Sequence, residues 1–172
     1  MSEGEQFSGR GRYTVIPRTL IFLRHGDDVL LLKGAPTKRL WAGRYNGLGG
    51  HVESGETIMA AAWRELWEEA GIAAAQVADF ALRALINVEG TPHGVLLCVF
   101  TGEALTRTVV GSVEGTPEWL PLAELDRLDL VDGDRLLPRL LGASGLLFGH
   151  QRHGTVDRAG AFTLEGISVT DG

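Results

Sequence analysis

The segment Gly50–Ile72, GHVESGETIMAAAWRELWEEAGI, most constrains how this chain can fold. Its spacing predicts a helix from about Thr57 to Ala70. Gly71 is the expected end of that helix, because glycine readily adopts the left-handed conformation that follows a helix C-terminus. The apolar side of the predicted helix, expected to face a core, carries Met59, Ala62, Trp63, Leu66, Trp67 and Ala70.

The polar side of this helix is almost wholly anionic. At about 100° per residue, Glu65, Glu68 and Glu69 fall within an arc of about 100°. Their mutual repulsion and the negative end of the helix dipole are both unfavourable, and Arg64 can offset only part of this. A hard divalent cation such as Mg²⁺ removes the conflict because it takes oxygen ligands. A solvated acidic face is the alternative interpretation of the pattern alone.

The same stretch resembles the signature of the Nudix hydrolase family, G-x5-E-x7-R-E-U-x-E-E-x-G-U, in which U is aliphatic. The resemblance implies an α+β fold, a Nudix-type α/β/α sandwich with a mixed β-sheet. It also implies hydrolysis of a diphosphate linked to another moiety, usually a nucleoside. Every specified position is filled here, by Gly50, Glu56, Arg64, Glu65, Leu66, Glu68, Glu69, Gly71 and Ile72.

The family resemblance further implies a bound Mg²⁺ or Mn²⁺ ion. Arg64 and Glu56 would pair and orient the ligand carboxylates from behind. The implied ligands are the Gly49 carbonyl and the carboxylates of Glu65, Glu69 and Glu68, the last directly or through water.

Attack of water on a phosphoanhydride requires neutralised phosphate oxygens and a base that positions or deprotonates the water. Glu65 is one candidate base. Glu114 resembles a distant acidic residue that joins the metal site in some family members, although it could equally be a solvated loop residue. The expected catalytic group therefore comprises Glu65, Arg64, Glu68 and Glu114.

Residues 40–56 resemble the branch of the family that includes 8-oxo-dGTP diphosphatases and related nucleoside triphosphate pyrophosphohydrolases. The triplet Tyr45-Asn46-Gly47 matches the aromatic-Asn-Gly that precedes the signature strand in that branch. The resemblance implies that Asn46 reads the edge of a purine, because a carboxamide offers both donors and an acceptor. A turn-forming Asn before Gly is the alternative.

The segment Trp119–Leu141 extends this resemblance, and Asp134 falls where the branch places a base-recognising Asp. Val131 departs from it, because some members carry a stacking Trp there. Candidate substitutes for that platform are Leu40, Trp41 and Phe148, with simple packing as the alternative. Arg39, in the same loop as Leu40, is a candidate phosphate contact, with a solvated loop charge as the alternative.

The length and the net charge of the chain limit its domain organisation and its binding partners. The 172 residues predict a single domain over 13–172 after a flexible tail of 1–12. A net charge of −6 argues against binding a nucleic acid polymer and leaves a small nucleotide as the expected partner. No apolar run approaches the ~20 residues that span a bilayer. Together with a lone Cys98 in an apolar run, these features predict a cytoplasmic protein, of undetermined oligomeric state.

The remaining pattern predicts strands joined largely as hairpins. Gly34–Gly47 is expected to be a loop, and a second helix is expected over Asp132–Leu141, shortened or kinked by Pro138. The predicted strands are Arg18–Arg24, Asp28–Lys33, Leu48–Val52, Phe80–Val88, Gly94–Gly102 and Glu118–Leu122, with a closing hairpin over Leu146–Val169.

The leading hypothesis is a Mg²⁺-dependent pyrophosphohydrolase that cleaves a purine nucleoside triphosphate, such as 8-oxo-dGTP, to the monophosphate and pyrophosphate. ADP-ribose, dinucleoside polyphosphates and a pterin triphosphate are alternative substrates of the same chemistry. A non-catalytic nucleotide-binding regulatory module is an alternative of a different class.

Overall fold

Apolar residues on both faces of three neighbouring strands build the centre of a mixed sheet: β1 (Val15–His25), β2 (Asp28–Gly34) and β5 (Gly94–Ala104). Successive side chains of a strand point to opposite faces. In β1, Ile21 and Leu23 therefore enter the core on one face, and Phe22 enters the core on the other. The computed structural model describes residues 12–37, 41–90, 92–131 and 137–151, and the backbone of 162–166.

The remaining strands are β3 (Tyr45–Asn46), β4 (Val77–Val88), β6 (Gly115–Pro121), β7 (Leu147–Gln151) and β8 (Phe162–Gly166). The eight strands of the described residues form one sheet in the order β3-β2-β1-β5-β4-β7-β8, and β6 also pairs with β2. The pairs β1–β5 and β4–β7 are parallel and the others are antiparallel, which makes the sheet mixed.

Helical elements cover both faces, which confirms the predicted α/β/α sandwich. Helix α1 (Ile58–Ala70) packs on one face through Ala62 and Leu66. The opposite face is covered by the 3-10 helix Leu122–Arg127 and helix α2 (Leu137–Gly142). No helix within the described ranges is long and apolar enough to cross a bilayer.

The ends of α1 form as the sequence predicts. The Thr57 hydroxyl accepts a hydrogen bond from the Ala60 N–H at 3.1 Å, which caps the N-terminus. Gly71 adopts the left-handed conformation at φ 68°, and its N–H donates to the Trp67 carbonyl. The predicted core side was partly wrong, because Met59 and Trp67 are exposed. Met59 lies in the first turn and Trp67 at the margin of the buried arc, so both remain in contact with solvent.

The predicted strand Leu48–Val52 is wrong. Only isolated bridges form there, Ile21 with Leu48 and Arg18 with His51. Between them Gly49 has a φ of 132°, outside the range of an extended strand, so the ladder is interrupted. The strand that does form is β3, inside the predicted loop Gly34–Gly47.

The observed ends of two other strands differ from the predicted ends by a few residues. Strand β4 begins before the predicted Phe80 and carries a bulge near Asp79, whose φ is 52°. Strand β6 begins before the predicted Glu118 and ends where Leu122 opens a 3-10 helix. The antiparallel pair β7–β8 confirms the closing hairpin. Residues 1–11 and 132–136, which belong to the predicted tail and second helix, lie outside the described residues.

Candidate active site

Arg64 on α1 holds the acidic residues of the signature together. Its Nε and Nη2 atoms donate to the two carboxylate oxygens of Glu56, at 3.2 and 2.7 Å. Its Nη1 atom donates to Glu65 at 2.8 Å and to Glu68 at 3.2 Å. Nη2 also donates to the His51 carbonyl at 3.0 Å, so a single guanidinium ties the loop before the helix to the carboxylates on it.

This arrangement shifts the pKa values of two groups. Hydrogen bonds from Arg64 lower the pKa of Glu56, and the Glu53 N–H lowers it further by donating at 2.7 Å. Hydrogen bonds to Glu56 and Glu65 raise the pKa of the Arg64 guanidinium. Both groups are therefore charged across the physiological range, and the pair keeps a fixed geometry.

Glu69 is held from the other side of the site. Its side chain is nearly enclosed, with 4% of the residue exposed, and the Gly49 N–H donates to its Oε2 at 2.7 Å. Glycine is required at position 49, because its φ is 132° and a Cβ there would clash with the Thr19 carbonyl. A Cβ on Gly50 would meet the carboxylate end of Glu65, which would have to move.

These carboxylates line a cavity of about 480 Å³, here called the acidic cavity. Within the described ranges, no three His, Cys, Asp or Glu side chains already converge as a metal-binding group. Carboxylate oxygens beside a backbone turn nonetheless form a donor set that suits a hard divalent cation. The wall consists of Arg18, Gly49, Gly50, His51, Glu53, Glu65, Glu68, Glu69, Ser112, Val113 and Glu114.

A second cavity of about 250 Å³, here called the apolar pocket, adjoins the acidic cavity. Arg18 and Gly49 belong to both walls, so a ligand can extend from one cavity into the other. Most of the lining is aliphatic, and Asn46 and Gln151 each contribute a neutral carboxamide to it. The wall consists of Arg18, Thr19, Leu20, Trp41, Asn46, Gly49, Val88, Val95, Leu97, Val131 and Gln151.

The structure brings most of the predicted site residues to these two cavities. Asn46 lines the apolar pocket, and Glu114 lines the acidic cavity with the signature glutamates. Trp41 lines the apolar pocket, whereas Phe148 is absent from its wall. The Arg64–Glu56 pairing forms as the resemblance implies. The predicted contacts Arg39, Leu40 and Asp134 lie outside the described residues.

Sequence reasoning missed two residues of the site. Arg18 lies shortly before the apolar run Leu20–Leu23 of β1, and its charge at an inward position was the available signal. Gln151 ends β7 and reaches the pocket only because β7 pairs with β4 in parallel, at Val88. That long-range pairing has no local signature in the sequence.

The fold and the helix-borne carboxylates define a class of enzyme, the hydrolases that act on phosphoanhydride bonds. The NUDIX domain model matches residues 15–141, and the chain belongs to the NUDIX family. Members of this family generally use divalent metal ions.

Three proteins show what the chain is similar to. The oxidized purine nucleoside triphosphate hydrolase of Mus musculus is 29% identical over 149 residues, which cover 87% of this chain and 94% of that protein. The MutT protein of Bacillus halodurans is 25% identical with a TM-score of 0.69, over 88% of this chain and 98% of its own. The MutT protein of Methanosarcina mazei is 27% identical with a TM-score of 0.63, over 74% and 94%.

Proposed function

We propose that this hydrolase is a Mg²⁺-dependent nucleoside triphosphate pyrophosphohydrolase whose preferred substrate is an oxidised purine nucleotide such as 8-oxo-dGTP. The observation that carries the proposal is that the two cavities share Arg18 and Gly49 in their walls and therefore lie side by side. A nucleotide has the same two-part chemistry, with a flat, weakly polar base and a strongly anionic phosphate chain. The mouse relative, which the chain matches along most of its length, supports the choice of an oxidised purine.

The acidic cavity would hold the Mg²⁺ or Mn²⁺ ion through the carboxylates of Glu65, Glu68 and Glu69 and the Gly49 carbonyl. When bound, such an ion neutralises phosphate oxygens and lowers the pKa of a bound water. Arg64 fixes the carboxylates of Glu65 and Glu68 from behind. Its guanidinium is engaged by Glu56, Glu65 and Glu68.

Two glutamates are candidates for the base that takes the proton of the attacking water. Glu65 is fixed at 2.8 Å from Arg64, and Glu114 lies in the turn between Ser112 and Gly115 on the facing wall. The variants E65Q and E114Q separate them, because loss of the base removes the acid limb of the pH–rate profile. Loss of a metal ligand instead raises the Mg²⁺ concentration needed for half-maximal rate.

The apolar pocket would take the purine. Asn46 supplies donors and an acceptor for the base edge, and Gln151 adds a second carboxamide. Trp41 in the same wall offers an aromatic face where Val131 offers none. Leu40, Arg39 and Asp134 remain proposed contacts of the same nucleotide.

A substrate panel tests the proposal. The enzyme is incubated with Mg²⁺ and 8-oxo-dGTP, dGTP, ADP-ribose, diadenosine tetraphosphate or a pterin triphosphate, and kcat/KM is measured from product release. The highest kcat/KM is expected for 8-oxo-dGTP, with pyrophosphate as the inorganic product. A higher value for ADP-ribose or the dinucleoside polyphosphate would overturn the substrate assignment. Nucleotide binding without turnover of any compound would indicate a regulatory module.

The same proposal includes the organisation of the chain. Residues 13–172 would form a single catalytic domain, acting on the nucleotide pool of the cytoplasm.

A further inference from the structure

Arg18 stands at the junction of the two cavities. It lies on β1, opposite Leu97 of β5, and forms an isolated bridge with His51 on its other side. The flanking backbone is fixed, because the Thr19 N–H donates to the Gly50 carbonyl at 2.8 Å and the Val52 N–H donates to the Pro17 carbonyl at 3.1 Å. The backbone position of Arg18 is therefore set by the same loop that carries the signature glycines.

Arg18 is half-buried, and among the described residues its guanidinium forms neither a salt bridge nor a hydrogen bond. This is notable because glutamates line the acidic cavity beside it. Arg64 is already bonded to Glu65 and Glu68, and the Gly49 N–H is bonded to Glu69. A partly desolvated cation without a protein partner has five donors available for an anionic ligand.

We propose that Arg18 binds the phosphate group nearest the nucleoside and thereby fixes the register of the nucleotide across the two cavities. The inference rests on the proposed function, because it assumes that a base occupies the apolar pocket and the distal phosphates occupy the acidic cavity. The phosphate closest to the base must then pass the shared wall, where Arg18 and Gly49 lie. A planar guanidinium suits this role because it can bind two phosphate oxygens at once.

A binding experiment on the intact enzyme separates this role from recognition of the base. The dissociation constants of 8-oxo-dGMP and of the nucleoside 8-oxo-deoxyguanosine are measured by calorimetry for wild type and R18Q. We expect R18Q to weaken monophosphate binding by about 10- to 100-fold, the usual cost of losing a charge-assisted hydrogen bond. Nucleoside binding should stay within about two-fold, because the nucleoside has no phosphate.

Two further variants make the result specific. R18K keeps the positive charge without the planar fork and should recover part of the monophosphate affinity. R127Q makes the same chemical change at an exposed arginine in the last turn of the 3-10 helix, and it should leave both constants unchanged. Thermal unfolding of each variant shows whether the fold is retained.

The inference is overturned if folded R18Q binds the monophosphate as tightly as wild type. It is also overturned if R18Q loses affinity for nucleoside and monophosphate equally, because Arg18 would then recognise the base. Failure of the proposed function is distinguishable from both. In that case wild type itself would bind neither compound and would not hydrolyse 8-oxo-dGTP.

Discussion

At the scale of single residues, Glu69 links the signature helix to the loop before it. It is almost completely buried, and its Oε2 accepts a hydrogen bond from the Gly49 N–H. In E69Q the amide oxygen can still accept that bond, but the charge that a cation requires is lost. We expect kcat/KM on the best substrate to fall by ~100-fold or more, with a thermal midpoint close to that of wild type. E124Q, at an exposed position in a 3-10 helix, is the matched control.

The lowered pKa of Glu56 predicts how the stability of the protein depends on pH. Its pKa is lowered in the folded protein by hydrogen bonds from Arg64 and from the Glu53 N–H. A lowered pKa contributes stability above the unfolded value near 4.5, and this contribution is lost as the pH falls through the folded value. The destabilisation caused by E56Q should therefore be largest at neutral pH and should shrink below about pH 4.

Urea unfolding of wild type and E56Q at several pH values measures this dependence. An equal loss of unfolding free energy at every pH would show that the Glu56 carboxylate does not gain stability from Arg64.

Residue-level prediction succeeded where partners are close in sequence. Arg64 and Glu56 lie eight positions apart, and the resemblance placed them as a pair, as the structure does. Gln151 was not predicted because it reaches the site through the pairing of β7 with the distant β4, which has no local pattern in a single sequence. Arg18 was missed although its charge at an inward position of β1 was a local signal.

At the scale of elements, the cap of α1 determines how well the carboxylate helix is anchored. T57A removes the oxygen that accepts the Ala60 N–H and should lower the free energy of unfolding by about 1 kcal/mol. T57S keeps a hydroxyl at the same position and should retain most of that stability. Urea denaturation compares the two variants, and equal losses would show that the hydroxyl does not cap the helix.

The signature glycines explain the largest error among the predicted elements. The apolar-flanked segment Leu48–Val52 reads locally as a strand, but Gly49 adopts a φ of 132° and faces Thr19. A glycine pair is compatible with either conformation when considered alone. Tertiary contacts with β1 select the turned conformation, and the N–H of Gly49 is thereby directed at Glu69.

At the scale of the whole molecule, we expect cation binding and stability to be linked, because the acidic cavity exists only in the folded chain. A ligand that binds only the folded state stabilises it by mass action, by about 2.7 kcal/mol at 100 times its Kd. We therefore expect Mg²⁺ or Mn²⁺ to raise the thermal midpoint and EDTA to abolish turnover reversibly. The shift should be much smaller in E69Q than in E124Q.

The measurements with Mg²⁺, Mn²⁺ and EDTA can also contradict the expectation. A midpoint insensitive to both ions, with turnover that persists in excess EDTA, would contradict a metal-dependent site.

The architecture could be predicted more completely than the topology. Continuous apolar runs such as those around Phe22 and Val99 indicate strands buried on both faces, which require covering layers on each side. The order of the strands, and the parallel pairing of β4 with β7, depend on contacts between residues about sixty positions apart. Local hydrophobic patterns do not predict which strands pair across such a separation in sequence.

The parallel pairing of β7 with β4 also orders events during synthesis of the protein. The carboxylate helix is complete when the ribosome has passed Gly71, whereas Gln151 closes the wall of the apolar pocket some eighty residues later. In a nascent chain, every lining residue of the acidic cavity therefore precedes the last lining residue of the apolar pocket, and the second cavity cannot close until β7 has been synthesised.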